Sequence, residues 1–440
     1  MCKIEQKFNQ THLMDIIRGF SKLSREEKIA YIQNNFPLAG DLAKTTNHYR
    51  HIEDQAIFDD FSENTLSNFY LPYGVAPNFL IDGEMYVLPM VIEESSVVAA
   101  ASRAATFWAN HGGFKTTVHD SLKIGHIWFQ WEGDSNILKK HIHSLESDLR
   151  SSVKKITRSM EQREGGIISF KFTPQPELAN IWQMQVSFKT ADSMGANFIN
   201  TCLEAMKEPL SGYFEKQNLP AAEIIMAILS NYTPDCLVTC EVSCKVEQLA
   251  PYAAGLTPQE FAQRFKLAMD IAYHNTHRAV THNKGIYNGV DAVVLATGND
   301  FRAVEASGHS FASRDGQYRA LSRCNITDDG VFSLSLTIPL AVGTVGGLTR
   351  LHPLAALSME ILQNPSAEEL MSITSAAGLA NNFGAVASLV TTGIQKGHMK
   401  LHLSNILTSF DASPEERSRA EIYFANTTIS TQKVREFLKR

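Results

Sequence analysis

A lysine and an aspartate sixteen residues apart, Lys284 and Asp300, are the pair in this chain best suited to chemistry at a carbonyl group. Both stand in turn-like settings rich in glycine and asparagine, His282-Asn283-Lys284-Gly285 and Thr297-Gly298-Asn299-Asp300. The apolar run between them, Asp291 to Thr297, reads as a buried strand or a short helix. An ammonium can stabilise the negative charge that develops on a carbonyl oxygen, while a carboxylate orients the ammonium and keeps it protonated. The competing reading is a solvated surface pair, which contributes little. Two further ionisable groups stand near helix starts. Glu94 stands at the start of a helix, where the dipole favours the anion, so giving up a proton would require burial to raise its pKa. His398, in Gly397-His398-Met399-Lys400, carries an imidazole whose ordinary pKa of about 6.5 suits proton delivery at neutral pH.

The elements that must position these groups are partly legible. Ser24 to Glu27 and Thr257 to Glu260 are capping boxes, the second with proline at the first helical position. A helix over about Ser95–Ala109 ends at His111-Gly112-Gly113, after a loop-rich stretch around Pro72 to Asp82. Between about Thr116 and Tyr232, strand-like runs (HIWFQW, IISFKF, IWQMQVSF) alternate with a long helical one, the pattern of an α+β unit inserted into a larger domain. From about Ser388 the chain reads as mostly helical, with a new helix starting at Ser413-Pro414-Glu415-Glu416.

With 440 residues, the chain has room for two or three domains. Its 40 basic and 46 acidic residues give a formal charge of -6, which argues against a generally basic nucleic-acid-binding surface. No signal peptide is expected at MCKIEQKFNQTHLMD, and the longest apolar stretch, near Leu334 to Leu348, is broken by glycines and a proline, so no membrane span is expected either. Cys236, Cys240 and Cys244 alternate with polar residues as one face of a strand, where cysteine acts as a small hydrophobe. Their spacing fits neither common zinc patterns nor a secreted disulfide scaffold, so a reducing cytoplasm and no metal are expected. His274, His277 and His282 read as loop and helix-end histidines. His398 and His402 lack the glutamate of a metalloprotease motif. There is no G-x-G-x-x-G, so a nicotinamide cofactor would not sit on the usual doubly wound fold.

Seven blocks, in order, resemble the class II 3-hydroxy-3-methylglutaryl-CoA (HMG-CoA) reductases, the soluble bacterial form. They are LPYGVAPNFLIDG (71–83), EESSVVAAAS (93–102), DSMGAN (192–197), HNKGIYNGVDAVVLATGNDFRAVEA (282–306), IPLAVGTVGG (338–347), GLANNFGA (378–385) and GIQKGHMKLH (393–402). The resemblance implies an α+β fold: a large mixed helical domain, an inserted small ferredoxin-like, non-Rossmann cofactor domain, and a helical C-terminal flap. The implied parts are 1–115 and 233–387 for the large domain, which binds substrate and dimerises, 116–232 for the cofactor domain, and 388–440 for the flap carrying His398. The implied function is interconversion of HMG-CoA with mevalonate and CoA by two hydride transfers, in a cytoplasmic homodimer with its active site at the subunit boundary. A non-catalytic CoA-thioester-binding relative and a metal-dependent hydrolase remain as alternatives.

By the same resemblance Lys284 is the oxyanion stabiliser, Asp300 the aspartate that tunes it, Glu94 the proton donor to the aldehyde oxygen, and His398 the proton donor to the CoA thiolate. Arg278 takes the substrate carboxylate, with Ser96, Asn288 and Asn382 as polar contacts. Asp192, Met194, Gly195 and Asn197 belong to the cofactor-contact motif, Gly195 permitting close backbone approach. Two departures stand out: Asn381 replaces a glutamine, and Ser67 replaces a glycine in the Glu63-Asn64 motif. Family members that use NADH carry an aspartate near the position of Thr157. Here Thr157 and Arg158, flanked by Lys154 and Lys155, suit a 2′-phosphate, so NADPH is favoured, with NADH as the alternative.

Overall fold

The computed structural model of the chain describes residues 16–38, 40–391, 393, 403, 404, 406–424, 427 and 429–439. His398 and His402 lie outside them. The chain divides into two units, up to Pro72 and from Tyr73 onward. The first holds helices α1 (Arg25–Asn35), α2 (Leu42–His48) and α3 (Gln55–Asp59). The Ser24 hydroxyl accepts from the Glu27 N–H, and Glu27 accepts from the Ser24 N–H at 2.7 Å, so the expected capping box forms. Ser67, where the family has glycine, donates its hydroxyl to the Thr46 carbonyl at 2.6 Å and so gains a local partner.

The second unit opens with strands β1 (Tyr73–Ile81) and β2 (Glu84–Val91). Asp82 and Gly83 close this hairpin with φ of 49° and 98°, the paired positive values that a two-residue turn of this hand requires. The stretch expected to be loop is therefore mostly strand. Pro77 and Asn78 sit where the register shifts, an irregularity that tolerates proline and hides the alternation. Next come α4 (Val97–Ala109), β3 (Lys115–Ser121), β4 (Lys123–Gln130), α5 (Ser135–Glu161), β5 (Gly166–Pro174), β6 (Ile181–Lys189), α6 (Ala196–Lys216), β7 (Glu223–Leu229) and β8 (Cys236–Lys245). The chain continues through α7 (Pro258–His274), α8 (Thr276–Ala296), α9 (Phe301–Ala312), β9 (Ser322–Ile326), β10 (Val331–Pro339), α10 (Leu348–Leu351), α11 (Pro353–Ile361) and α12 (Ala367–Val390).

Two antiparallel four-stranded sheets, ordered β3-β8-β10-β9 and β5-β6-β4-β7, carry separate hydrophobic cores. The boundary expected near residue 116 falls inside β3, which pairs with β8 in the first sheet. The second sheet packs with α5 and α6. Leu145, Leu149, Val153 and Thr157, four residues apart, form the buried stripe of α5, with Met160 one turn on. Cys236, Cys240 and Cys244 are buried on one face of β8, as the alternation predicts, and burial pushes the Cys240 thiol well above its usual range.

Helix α12 starts at a capping box, with Ser366 and Glu369 reciprocally bonded, and is buried all round from Leu370 to Phe383. Among the described residues it is the one helix long and apolar enough to cross a membrane, but 72% of its most apolar window lies inside the fold, as in a core helix. It packs closely on α8: a Cβ on Gly289 would stand 2.3 Å from the Ala377 carbonyl oxygen. Lys284 and the run to Ala296 both lie within α8, so the expected turn is absent and the apolar run takes the helical one of its two readings, as part of a longer helix. The helix keeps its Asn and Gly residues because tertiary packing outweighs their modest propensity cost. Near the C-terminus, helices Pro414–Phe424 and Thr431–Leu438 share a small core with Leu403, Leu407 and Ala420.

Candidate active site

Helix α8 carries two chemically different faces. On the exposed one, the Lys284 ammonium donates to Glu94 Oε2, closing an ion pair across 190 residues of sequence. The two side chains are 59% and 38% exposed, so this chain alone does not supply the burial that proton donation by Glu94 calls for. Glu94 is held in the link between β2 and α4. There Ser96, the residue before the helix, adopts the left-handed conformation with φ 75°. A non-glycine residue in that region stores strain of roughly 1 kcal/mol, which the flanking strand and helix must hold. Asn288 lies one turn beyond Lys284 on the same side of α8 and is half-buried. Arg278 sits in the first turn, its N–H donating to the Asn275 side chain at 3.0 Å, and partial burial lowers its pKa.

Asp300 caps the N-terminus of α9. It accepts from the N–H groups of Arg302 and Ala303 at 3.1 and 3.2 Å, and its ion pair is with the Arg302 guanidinium at 3.2 Å, in place of the expected Lys284. An aspartate at this position satisfies helix donors first, which aims its carboxylate along α9.

The inner face of α8 is neutral and closed. His282 is 2% exposed, with Nε2 2.7 Å from Ser322 Oγ and 3.1 Å from Asn382 Nδ2, while Ser322 donates to Asn382 Oδ1 at 2.8 Å. Burial, with the Arg278 charge second, pushes the imidazole pKa down to about 3. His282 is therefore neither a loop nor a helix-end histidine. Asn382, expected to touch the acyl group, is 1% exposed and belongs to this network. Among the described residues no three His, Cys, Asp or Glu side chains come together.

The DSMGAN segment forms the turn between β6 and α6. Gly195 precedes α6 with φ 92°, and a Cβ there would stand 2.4 Å from Thr190 Cγ2. The lack of a side chain at Gly195 thus serves packing within the loop. The Asp192 side chain accepts from the Ala367 N–H at 2.9 Å, at the start of α12. Lys123, buried beneath, donates to Thr190 Oγ1 at 2.9 Å and lies 3.4 Å from the Ser193 carbonyl oxygen; burial lowers its pKa. Asn197 is exposed in the first turn of α6. On α5, Arg158 faces solvent but Thr157 is 2% exposed on the buried stripe, so the two cannot act together on one ligand.

The family model described as hydroxymethylglutaryl-coenzyme A reductase matches residues 24–403. The chain belongs to this family. It is 34% identical to the 3-hydroxy-3-methylglutaryl-coenzyme A reductase of Archaeoglobus fulgidus, covering 96% of this chain and 94% of that one. A probable reductase of the same name from Borreliella burgdorferi is also 34% identical, over 82% of each chain. Among solved structures, the class II reductase of Streptococcus pneumoniae, described in open conformations bound to NADPH, matches with a TM-score of 0.72 and 34% identity, covering 85% of this chain and 99% of that one. Two residues bonded to the expected site segments were not among those singled out from the sequence: Ser322, which donates to Asn382, and Lys123, which donates to Thr190 below the DSMGAN turn. Each meets a partner 60 or more residues away in sequence, a pairing that no local pattern signals.

Proposed function

We propose that this chain is an HMG-CoA reductase in activity as well as in family, reducing HMG-CoA to mevalonate and CoA. The observation that carries this reading is the Lys284–Glu94 pair, an exposed cation and carboxylate held by a rigid helix and a strained turn in a chain of this family. Lys284 would stabilise the oxyanion formed from the thioester and then from the aldehyde, as a fixed ammonium can. Glu94, already bonded to that ammonium, would supply a proton to the aldehyde oxygen once bound substrate and a second protomer shield it from water. Asp300 would tune the site from the cap of α9, and Arg278 would take the free carboxylate of the acyl group. Ser96 and Asn288 would contact the same group. His398, outside the described residues, would protonate the departing CoA thiolate.

A nicotinamide cofactor would supply the two hydrides. The second sheet, with α5 and α6, is read as an inserted cofactor domain, and the C-terminal helices as the flap. In the DSMGAN turn Asp192, Met194, Gly195 and Asn197 would hold the cofactor, and Asn197 is the most exposed of them. One solved relative is bound to NADPH, and the exposed Lys154, Lys155 and Arg158 suit a phosphorylated cofactor. Recognition of a 2′-phosphate therefore rests on these charges without Thr157. A cytoplasmic homodimer with a shared active site completes the reading.

The test is absorbance of the reduced cofactor with purified protein and HMG-CoA, and in reverse with mevalonate, CoA and oxidised cofactor. Turnover with a preference for NADPH is expected; no change in either direction with either cofactor would overturn the reading. His398→Gln should impair thioester reduction more than reduction of free mevaldehyde, and an equal loss on both would remove His398 from its role.

A further inference from the structure

The turn that ends α8 and leads into Asp300 is bonded to the segment that follows β10, and that segment is bonded to the DSMGAN loop. Asn299 donates from Nδ2 to the Gly343 carbonyl at 3.0 Å and accepts at Oδ1 from the Gly343 N–H at 2.8 Å. A side-chain amide thus pairs with both ends of one residue's backbone, a geometry that fixes distance and orientation together. On its other side Gly343 presses against the DSMGAN loop: a Cβ there would stand 2.3 Å from Met194 N and 3.0 Å from the Asp192 carbonyl oxygen. The next residues bond to that loop as well, the Thr344 and Val345 N–H groups donating to the Asp192 carbonyl at 2.8 and 3.3 Å. Asn299 is itself held by its own N–H, which donates to the Val294 carbonyl at 2.9 Å, and by a 3.1 Å bond from Nδ2 to Thr297 Oγ1.

We propose that Asn299 is a positioning residue that clamps the Asp300 turn, through Gly343, onto the Asp192–Asn197 loop and so sets where a bound cofactor stands relative to the reacting carbonyl. This rests on the functional reading above. The clamp's effect is geometric: two loops, each carrying one half of the proposed site, are held at one separation by the Asn299 amide, the close packing of Gly343 and the Thr344 and Val345 bonds to Asp192. Hydride transfer is steeply sensitive to such a separation, whereas binding of the acyl group near Lys284 and Arg278 is not.

The experiment compares wild type, Asn299→Leu and Asn299→Asp by steady-state kinetics with HMG-CoA, by the primary isotope effect with cofactor deuterated at the transferred position, and by thermal unfolding. Asn299→Leu removes both bonds. Asn299→Asp retains the acceptor for the Gly343 N–H but turns an oxygen toward the Gly343 carbonyl, and it carries the test should the leucine variant not fold. We expect kcat to fall by about 10–100-fold while KM for HMG-CoA stays close to wild type, with an enlarged isotope effect as hydride transfer becomes limiting. Gly343→Ala, which must push the loops apart, should reproduce the same pattern. A folded variant with wild-type kcat and isotope effect would overturn the inference. So would a loss of activity matched by loss of folded protein, with unchanged constants for the remainder. Wild-type turnover in the same assay separates this test from that of the reaction itself.

Discussion

The two faces of α8 differ in almost every physical respect although their residues are interleaved in sequence. Lys284 faces outward and meets a carboxylate in half-exposed surroundings. His282, two residues earlier, is closed in with Ser322 and Asn382 and kept neutral. An exposed charge is cheap to hold and free to meet a substrate. A buried histidine costs stability whenever it must take up a proton, and it contributes only by packing and hydrogen bonding. Adjacency in a family motif therefore does not place two residues in one environment: Lys284 is open to solvent, whereas His282 is closed off from it.

The largest effect expected is on turnover from the outer face. Lys284→Ala should lower kcat by about 100–1000-fold, the scale of losing an oxyanion donor, with an unfolding midpoint close to wild type. On the inner face the pattern should reverse. Asn382→Leu, which strands the Ser322 hydroxyl and the His282 ring, should cost roughly 2–3 kcal/mol of stability in denaturant titration, with kcat in the folded protein little changed. A loss of turnover with intact stability in that variant would return Asn382 to the substrate.

The comparison sharpens with pH. The folded pKa of His282 is depressed to about 3, so its contribution to stability is complete above the unfolded value near 6.5 and is lost as pH falls from there toward 3. Asp291, deeper in α8, is shifted the other way, to about 8, by burial first and then by the hydrogen bond and charge of Glu305. Its contribution is complete below the unfolded value near 3.8 and is lost as pH rises toward 8. Each slope is at most roughly 1.4 kcal/mol per pH unit, and the two oppose one another between about 4 and 6.5. Stability should therefore fall most clearly above pH 6.5 or so, and Asp291→Asn should flatten that fall when unfolding is measured across the range.

Smaller effects are expected on the cofactor side. Arg158→Ala should lower the NADPH-to-NADH ratio of kcat/KM by about 1 kcal/mol, or several-fold, as for loss of one exposed charge–phosphate contact. Thr157→Val, a change on the buried stripe, should leave that ratio unaltered. A ratio that moved with Thr157 and not with Arg158 would mean that α5 opens when cofactor binds.

Much of this was legible in the residues themselves. The capping boxes at Ser24 and Thr257 form, and the helix expected to start at Ser413 does so with reciprocal Ser413–Glu416 bonds, because these signals lie within one turn. The cysteine strand is where its two-residue period places it. Three readings went astray where local and tertiary preferences conflict. Asn and Gly around Lys284 suggested a turn, but packing against α12 keeps the helix continuous. Pro77 and Asn78 suggested a loop, but they occupy an irregularity in β1. Thr157 was read by its chemistry, although the four-residue spacing from Leu145, Leu149 and Val153 marks it as an inward position. The Asn299–Gly343 pairing and the His282–Ser322–Asn382 network join segments between 40 and 100 residues apart, and no local pattern announces them.

The most direct measurement sets the two faces of α8 side by side: single-turnover oxidation of reduced cofactor by HMG-CoA in Lys284→Ala and Asn382→Leu, each normalised to folded protein and paired with its unfolding free energy. We expect Lys284→Ala to be nearly inactive and as stable as wild type, and Asn382→Leu to be active and clearly less stable. Wild-type turnover in a folded Lys284→Ala chain would contradict the assignment of the outer face to the chemistry.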